Sequence, residues 1–414
     1  MFRKLLTYDE AKNLIQQTLK PKPIGTEKIP LLEAYNRVLA EDATSNLDIP
    51  PFNRSTVDGY AVQAQDTFEA NENQPTKLKV TGFAAIGETP KIKIQKGQTA
   101  EIVTGAPIPE GADAVVMVED TNRENDELSI YTSVTSNENV QKKGSDIKNG
   151  ETILQAGKVL GSREIGVLAA LGKATIKTYK IPLIAVLSTG GEVTEPGKNL
   201  PPGKIYDINA YSLSIAVREC GGKPVYAGVV PDEKGPLKKA MQRALVSADM
   251  LLTSGGVSVG PKDLIPQTVD SLGKPGVFIS GIAVKPGKPA TVALIGEKPV
   301  FSFPGHPTSA LMIFQLLARP VIQVMAGKSA KDKPSVKAIA ATRMFAAKGR
   351  RTFVTVKLKQ DEKTKRLIAE PAESAASGAI TTLSKADGFV EIPENQQFID
   401  AEEEITVWLL KETL

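Results

Sequence analysis

Two apolar runs that each end in Ser/Thr-Gly-Gly constrain the fold of this chain most strongly. The runs are Leu183–Leu187 and Met250–Leu252, and neither contains a polar residue. A strand without polar alternation is typical of a parallel sheet that is covered on both faces. Helices predicted at Asn209–Cys220 and Leu237–Ser247 alternate with a further strand at Val225–Val230. This alternation predicts a doubly wound, mostly parallel sheet.

The residues that follow the two apolar runs are candidates for ligand binding, because such sheets bind ligands beyond the carboxyl ends of their strands. These candidates are Ser188, Thr189, Gly190, Ser254, Gly255, Gly256 and Ser258. Glycines let backbone amides approach a ligand closely, and a helix predicted to start near Asp263 favours an anion there. A tight turn without a ligand is the alternative, and the glycine strings alone do not decide between them.

Two further loops have the composition of anion sites. Lys285-Pro286-Gly287-Lys288-Pro289 holds two ammonium groups on a short, rigid backbone, which suits an oxyanion such as phosphate or molybdate. Pro304, His306 and Pro307 form a turn between a predicted strand and a predicted helix. The alternatives are a solvated surface loop for the lysines and an incidental position for His306.

Three carboxylates follow predicted strands by only a few residues, namely Glu192, Asp232 and Asp263. In a parallel sheet this spacing places them at one edge, where they are predicted to hold magnesium. Helix N-terminal charges are the alternative, which is strongest for Asp263. His306 is the only histidine and Cys220 the only cysteine, so a His-rich zinc site and an internal disulfide are excluded.

Outside the predicted sheet, the N-terminus carries a capping box at Thr7 and Glu10, and a second helix is predicted at Leu31–Glu41. Short strands between Gly and Pro turns predict a β-rich module from Val57 to about Lys148. Alternation over Thr352–Lys359 and a final strand at Ile405–Leu410 predict a small all-β domain at the C-terminus.

The composition predicts the compartment and excludes some partners. A length of 414 residues predicts about three domains, and the slight net charge of +4 argues against nucleic-acid binding. The start of the chain lacks the apolar core of a signal peptide, and the apolar stretch Ala310–Val324 is predicted to be too short for a bilayer. We therefore expect a cytoplasmic protein with neither nucleic-acid nor membrane partners.

Taken in order, six strings resemble the molybdopterin molybdenumtransferase family, which is called MoeA in bacteria. The strings are Pro51–Val62, Val103–Pro109, Leu187–Val193, Ser254–Gly260, Val284–Pro289 and Phe303–Pro307. The strings occur in the order of the family, and the resemblance runs the whole length of the chain. The Gly-Gly strings alone would also fit the related molybdopterin adenylyltransferases.

The resemblance implies an α/β multidomain fold with four parts. A parallel α/β molybdopterin-binding domain comprises residues 1–27 and 178–328, and a small linking α/β subdomain comprises 28–48 and 148–177. A β-rich inserted module comprises 49–147, and a C-terminal all-β domain comprises 329–414. The resemblance also implies an elongated homodimer whose site is shared between the subunits.

The same resemblance implies roles for the site residues. Asp58 and Thr104 would come from the second subunit, and Arg350 and Ser377 from the C-terminal domain, with Arg351 left open as the alternative to Arg350. The sheet side would be lined by Glu192, Asp232, Asp263, Lys285, Lys288, Pro304 and Pro307. Glu192 or Asp58 would orient an oxygen nucleophile, the two lysines would offset anion repulsion, and Glu192, Asp232 and Asp263 would hold Mg²⁺.

By resemblance, molybdate is joined to adenylylated molybdopterin and AMP leaves. A molybdopterin adenylyltransferase acting one step earlier is the first alternative, although it leaves the first 150 residues unexplained. The second alternative is a tungstate-inserting homologue or a binding scaffold. Tungstate and molybdate are tetrahedral oxyanions of like charge, so the sequence does not distinguish them, and it does not identify the enzymes that receive the product.

Overall fold

The structure is a computed structural model, and it describes residues 5–257, 264–329, 334–372 and 380–410. The chain divides into two compact units. The first unit comprises Met1–Ala40, Gly157–Gly161 and Thr175–Leu414, and the second comprises Glu41–Ala156 and Ser162–Ala174. The finer division into four parts stays a prediction.

A six-stranded sheet forms the centre of the first unit. Across the sheet the strands are Lys223–Val230, Leu183–Thr189, Met250–Ser254, Lys298–Phe303, Thr291–Ile295 and Pro275–Ser280. The first four are parallel, and Thr291–Ile295 is antiparallel to the strand on each side of it, so five of the six strands run in one direction. The prediction of a doubly wound, mostly parallel sheet is confirmed.

Helices cover both faces of this sheet, which explains its uniformly apolar strands. Ile184 and Val186 belong to one core, with the helix Asn209–Glu219. Ala185 and Leu187 belong to a second core, with the helices Lys234–Ser247 and Leu264–Asp270. Because successive residues of a strand point to opposite faces, both sets of side chains are buried.

The long helix of the first unit, Pro307–Met325, corrects the expectation that the apolar stretch is too short for a bilayer. It has 19 residues and is, among the residues described, the helix long and apolar enough to cross a membrane. Within the protein 67% of its apolar window is buried, as in a core helix. A π-helical turn at Phe314–Ala318 lies between its two α-helical parts, Pro307–Ile313 and Arg319–Met325, where Pro320 offers no N–H.

The C-terminal part of the first unit contains a closed five-stranded barrel. Around the barrel the strands are Arg351–Gln360, Leu367–Pro371, Ser335–Ala340, Glu404–Leu409 and Gly388–Ile392, and the last pairs with the first. The β-rich prediction is confirmed, with an additional short helix at Ile380–Lys385. A two-stranded pair, Met344–Phe345 and Phe398–Ile399, accompanies the barrel.

The N-terminal segment of the first unit begins as predicted and then departs from prediction. Thr7 and Glu10 form the capping box of the helix Tyr8–Leu19. The second predicted helix, Leu31–Glu41, is wrong, because only a 3₁₀ turn at Leu31–Glu33 forms. Asn36 adopts a left-handed conformation, and Val38 and Leu39 bridge to Val159 and Thr178. Tertiary pairing therefore overrides the local helical pattern.

The remaining strands of the first unit are Val284–Lys285, which pairs in parallel with the barrel strand Arg351–Gln360, and two small pairs. Thr26–Pro30 pairs with Thr175–Tyr179, and Val193–Thr194 pairs with Ile205–Tyr206. The second pair lies within the connection that leaves the strand Leu183–Thr189 and enters the helix Asn209–Glu219.

A second six-stranded sheet forms the core of the second unit. Across this sheet the strands are Ala114–Met117, Gly59–Val62, Gln98–Ile102, Thr76–Ala84, Glu127–Ile130 and Thr121–Glu124. Two short strand pairs and one helix complete the unit: Ala43–Thr44 with Thr152–Leu154, Arg54–Ser55 with Val140–Gln141, and Ser162–Ala170. The β-rich prediction is confirmed.

Candidate active site

Three strands of the central sheet end side by side. Ser188 pairs with Ser254, and Ser254 pairs with Phe303. The two Ser/Thr-Gly-Gly strings and the turn Pro304–Pro307 therefore start at the same edge of the sheet, where parallel α/β folds bind ligands.

Gly255 lies where the backbones of these loops come into contact. Its φ is +98°, and a β-carbon there would lie 2.2 Å from the Thr189 carbonyl oxygen. Its N–H donates to the Phe303 carbonyl at 3.2 Å. A β-carbon on Gly305 would in turn lie 3.9 Å from Gly255 Cα. Only glycine allows the three loops to approach so closely.

The loop Lys285–Pro289, called the lysine loop, packs beside the turn Pro304–Pro307, called the proline turn. A β-carbon on Gly287 would lie 2.2 Å from Ile313 Cγ1 and 3.6 Å from the Ser309 carbonyl oxygen, so the loop lies on the helix that starts at Pro307. Neither Lys285 nor Lys288 has a carboxylate partner within the part of the chain that the structure describes. Two uncompensated ammonium groups are thus held near the edge where the glycine strings end.

Two buried residues that the sequence did not single out connect these loops. Asp207 is 3% exposed, and its Oδ1 accepts hydrogen bonds from Ser188 Oγ at 2.9 Å and from the Ala210 N–H at 3.0 Å. Asn209 Nδ2 donates to Ser254 Oγ and to the Gly305 carbonyl, both at 2.7 Å. The network ties the ends of three strands together.

Each of these two residues also keeps one buried oxygen without a hydrogen-bond partner among the described residues, Asp207 Oδ2 and Asn209 Oδ1. The available sequence signal was Asp207 placed three residues before Ala210 at a helix start, which is typical of N-terminal capping. That signal predicts a cap but not a link between strand ends.

Two of the three predicted metal ligands, Asp232 and Glu192, contact the first glycine string, Ser188–Gly191. Thr189 Oγ1 donates to Asp232 Oδ1, which also lies 3.4 Å from the position of a β-carbon on Gly256. Both Glu192 carboxylate oxygens lie 2.8 Å from the position of a β-carbon on Gly190. The described residues contain no cluster of three or more potential metal-ligating side chains, and Asp263 lies outside them. The two carboxylates supply the hard oxygen donors that magnesium prefers.

A cavity of about 340 Å³ opens beside the same string and is lined by Gly190, Gly191, Val193, Thr194, Glu195, Lys198, Lys204, Val229, Val230 and Pro231. Lys198 pairs with Glu195 at 2.5 Å. The Lys198 ammonium, with a further hydrogen bond from Tyr226, holds the pKa of the Glu195 carboxyl below its usual value. Lys204 has no such partner among the residues described, so the cavity wall retains an uncompensated cation. The volume falls within the range of small-molecule sites.

The structure distinguishes Arg350 from Arg351. Arg351 donates to Asp9 through two nitrogens, at 2.7 and 3.1 Å, and pairs with Glu391 at 3.1 Å and Glu394 at 2.9 Å. The Arg350 guanidinium has no partner in the described ranges. The backbone of Arg351 pairs with Val284, directly before Lys285. Arg351 is therefore committed to holding the N-terminal helix, and Arg350 is left as an available cation just before the strand that pairs with the lysine loop.

Asp58 and Thr104 lie in the second unit and contact each other. Asp58 Oδ1 accepts from the Thr104 N–H at 2.6 Å and from its hydroxyl at 2.8 Å. These bonds, the backbone one first, lower the pKa of the Asp58 carboxyl below its usual value. Gly59 fixes this position, because a β-carbon there would lie 1.9 Å from the Val116 carbonyl oxygen. The result is an exposed carboxylate that is held ionised.

Some of the remaining predicted site residues lie in the described part of the chain, and others lie outside it. Pro304 is buried, and the exposed His306 precedes the helix that begins at Pro307 without a side-chain capping bond. Ser258, Asp263 and Ser377 lie outside the described residues.

Comparison with known proteins covers nearly the whole chain. Residues 6–172 match the MoeA N-terminal region (domains I and II), residues 185–324 match a "probable molybdopterin binding domain", and residues 337–410 match the MoeA C-terminal region (domain IV).

Individual relatives agree with these matches. The molybdopterin molybdenumtransferase of Nostoc sp. is 33% identical, over 92% of this chain and 88% of the relative. That of Haemophilus influenzae is 35% identical, over 84% and 85%. A crystal structure of the molybdopterin biosynthesis MoeA protein from Pyrococcus horikosii superposes with a TM-score of 0.87 at 40% identity, covering 99% of this chain and 100% of that one.

Proposed function

Because the chain belongs to the MoeA family of molybdopterin molybdenumtransferases, we propose that it inserts molybdenum from molybdate into adenylylated molybdopterin and releases AMP. The observation that carries this proposal is that two glycine strings and the proline turn start at one edge of the central sheet, beside a loop whose two lysines have no carboxylate partner in the described chain. Both substrates are anions, so a site that joins them must offset their mutual repulsion.

The ammonium groups of Lys285 and Lys288 would meet this requirement, together with glycine-string amides other than those of Gly190 and Gly255, which already donate to backbone carbonyls. They are fixed by glycine contacts and by prolines before any substrate arrives, so they need little reorganisation during the reaction. Positioning of the two anions then supplies much of the remaining rate enhancement. Arg350, which has no partner in the described part of the chain, adds a third cation just before the neighbouring strand.

Glu192 and Asp232 are the residues of the described chain that would hold magnesium. Magnesium bound there would polarise the phosphoanhydride of the adenylylated pterin. Independently of the metal, Glu192 lies over Gly190, which lines the 340 Å³ cavity, and there it would orient an attacking oxygen. The same role is proposed for Asp58, which is ionised and accessible.

We further propose that two copies of the chain act together, each supplying Asp58 and Thr104 to the site of the other. An exposed apolar patch on the first unit supports self-association. Tyr211 and Ile215 lie one turn apart on one helix and are 49% and 53% exposed. The Tyr211 ring lies 5.8 Å from that of Tyr226, which is 39% exposed. Such patches are typical of protein interfaces. We expect the dimer in the cytoplasm.

The experiment supplies purified protein with adenylylated molybdopterin and molybdate and measures AMP. Glu192→Ala and Lys285→Ala are expected to fold and to lose at least about a hundredfold in AMP release, the usual consequence of removing a preorganised electrostatic group. Lys337→Ala is the matched control, since it removes an exposed lysine from a barrel strand. Full activity in both site variants would refute these assignments.

Two changes to the assay separate this function from the alternatives. Consumption of ATP with unadenylylated pterin would favour an adenylyltransferase. Replacing molybdate by tungstate in the AMP assay identifies the oxyanion preference.

A further inference from the structure

One end of the sheet in the second unit places four residues from neighbouring strands side by side. Met117, Gly59, Ile102 and Ala84 form one row across four strands, because Gly59 pairs with both Met117 and Ile102, and Ile102 pairs with Ala84. Immediately beyond that row the chain continues into Val118, Asp58, Thr104 and Ile86. The register alone therefore brings these four residues to one sheet end.

The centre of this sheet end is polar. Both Thr104 donors reach Asp58 Oδ1, while Oδ2 has no hydrogen-bond partner in the described chain. The Val118 N–H donates to the Asp58 carbonyl at 3.1 Å, which fixes Asp58 beside Val118. One oxygen of an accessible carboxylate is thus positioned and left free to accept a donor from outside.

The surroundings of this oxygen are apolar and exposed. Ile86 is 65% exposed and Val118 is 48% exposed. A β-carbon on Gly105 would lie 3.2 Å from Ile86 Cδ1, so the Ile86 side chain lies over the residue that follows Thr104. Asp58 and Thr104 are therefore flanked by large apolar side chains on both sides, Ile86 on one and Val118 on the other.

This combination selects one kind of ligand. The Asp58 carboxylate repels phosphate and molybdate, and apolar neighbours do not complete the coordination shell of a hard cation. A flat heterocycle with N–H donors satisfies both features, because its edge donates to the carboxylate and its faces cover apolar side chains. Pterin has an amino group and a ring N–H next to each other on one edge, and adenine has an amino group.

We propose that Asp58, Ile86 and Val118 form a subsite for the pterin ring of the substrate, in which Asp58 Oδ2 accepts from the ring donors and Ile86 and Val118 contact its faces. The subsite rests on the proposed function, since it identifies which part of that substrate the second unit receives. With Asp58 bound to the ring, the attacking oxygen would be oriented by Glu192, the other residue proposed for that role. Pterin is favoured over adenine because its amino group and ring N–H are two neighbouring donors on one edge.

The test measures binding rather than turnover. Free pterin is titrated into the full-length protein by its own fluorescence, and AMP is titrated separately. The variant Ile86→Ser/Val118→Ser is expected to weaken pterin binding about tenfold and to leave AMP binding unchanged. Phe68→Ser is the matched control, because Phe68 is also large, apolar and 62% exposed in the second unit but follows the opposite end of the strand Gly59–Val62.

Three results would overturn the proposal. Unchanged pterin affinity in the double variant would mean that Ile86 and Val118 do not contact the pterin ring. A loss of AMP affinity instead would assign the subsite to adenine. A change in molecular mass by light scattering would mean that Ile86 and Val118 form an interface between copies. If the wild-type protein binds pterin with the expected dependence on Ile86 and Val118 but releases no AMP, the proposed function fails and the subsite stands.

Discussion

The two units present their candidate residues in opposite physical settings. At the edge of the central sheet, Asp207 and Asn209 are buried and hydrogen-bonded to three strand ends. At the sheet end of the second unit, Asp58 and Thr104 are exposed and bonded mainly to each other. Geometry in the first region depends on buried contacts between separate strands, whereas geometry in the second depends on hydrogen bonds between two exposed residues. Substitutions should therefore reduce stability in the first region and binding in the second.

The largest expected effect is that of Gly255→Ala, which tests whether packing fixes the first region. The new β-carbon would lie 2.2 Å from the Thr189 carbonyl oxygen in a backbone conformation that favours glycine. We expect the free energy of unfolding to fall by about 3 kcal/mol or more, measured by urea denaturation.

Gly97→Ala in the second unit is the matched control for Gly255→Ala. Gly97 has a φ of +76°, but nothing lies within 4 Å of its added β-carbon. The expected loss is about 1 kcal/mol, from backbone strain alone. Equal losses in the two variants would contradict the contrast between the regions.

The next largest effect compares the two aspartates. Asp207→Ala leaves two buried donors, Ser188 Oγ and the Ala210 N–H, without their acceptor, and we expect a loss of about 2–3 kcal/mol in urea denaturation. Asp58→Ala exposes its former donors to water, so its denaturation midpoint should move much less while AMP release falls. If Asp58→Ala destabilised the protein more than Asp207→Ala, the contrast would be reversed.

The smallest effect concerns the ionisation of Asp58. Its pKa is lowered by the Thr104 N–H and then by the Thr104 hydroxyl. A lowered carboxyl pKa stabilises the fold above the pKa of the unfolded chain, and that contribution is lost as pH falls through the folded value. Thr104→Val removes the hydroxyl and keeps the N–H. A carboxyl titration by NMR should therefore find the Asp58 pKa part-way back to its usual value, and an unmoved pKa would exclude the hydroxyl contribution.

The sequence was sufficient to predict secondary structure where the burial of a segment agrees with its hydrophobic pattern. The runs Leu183–Leu187 and Met250–Leu252 are apolar throughout because both faces of their sheet are covered, so strand and sheet type could be predicted. The helix predicted at Leu31–Glu41 was wrong because Val38 and Leu39 pair with residues more than a hundred positions away. No local pattern encodes such pairing.

The candidate site residues likewise divide into those that the sequence could identify and those that it could not. Charged loops such as that of Lys285 and Lys288 could be found from composition, since glycine and proline mark rigid turns. Asp207 and Asn209 could not, because their importance depends on which strand ends they reach. The ion pairs that distinguish Arg351 from Arg350 depend on the register of one strand pair and the position of Asp9, and the role of Arg350 at the site stays a prediction.

The ion pairs of Arg351 have a consequence for the order in which the chain is completed. Asp9, on the helix Tyr8–Leu19, has its partner more than three hundred residues later, on the barrel strand Arg351–Gln360. Until the ribosome has added Arg351, this helix lacks the ion pair, and Glu391 and Glu394, the other partners of the guanidinium, are added later still. Termination of synthesis before Arg351 would therefore remove the barrel and also weaken the attachment of a helix that was synthesised long before it.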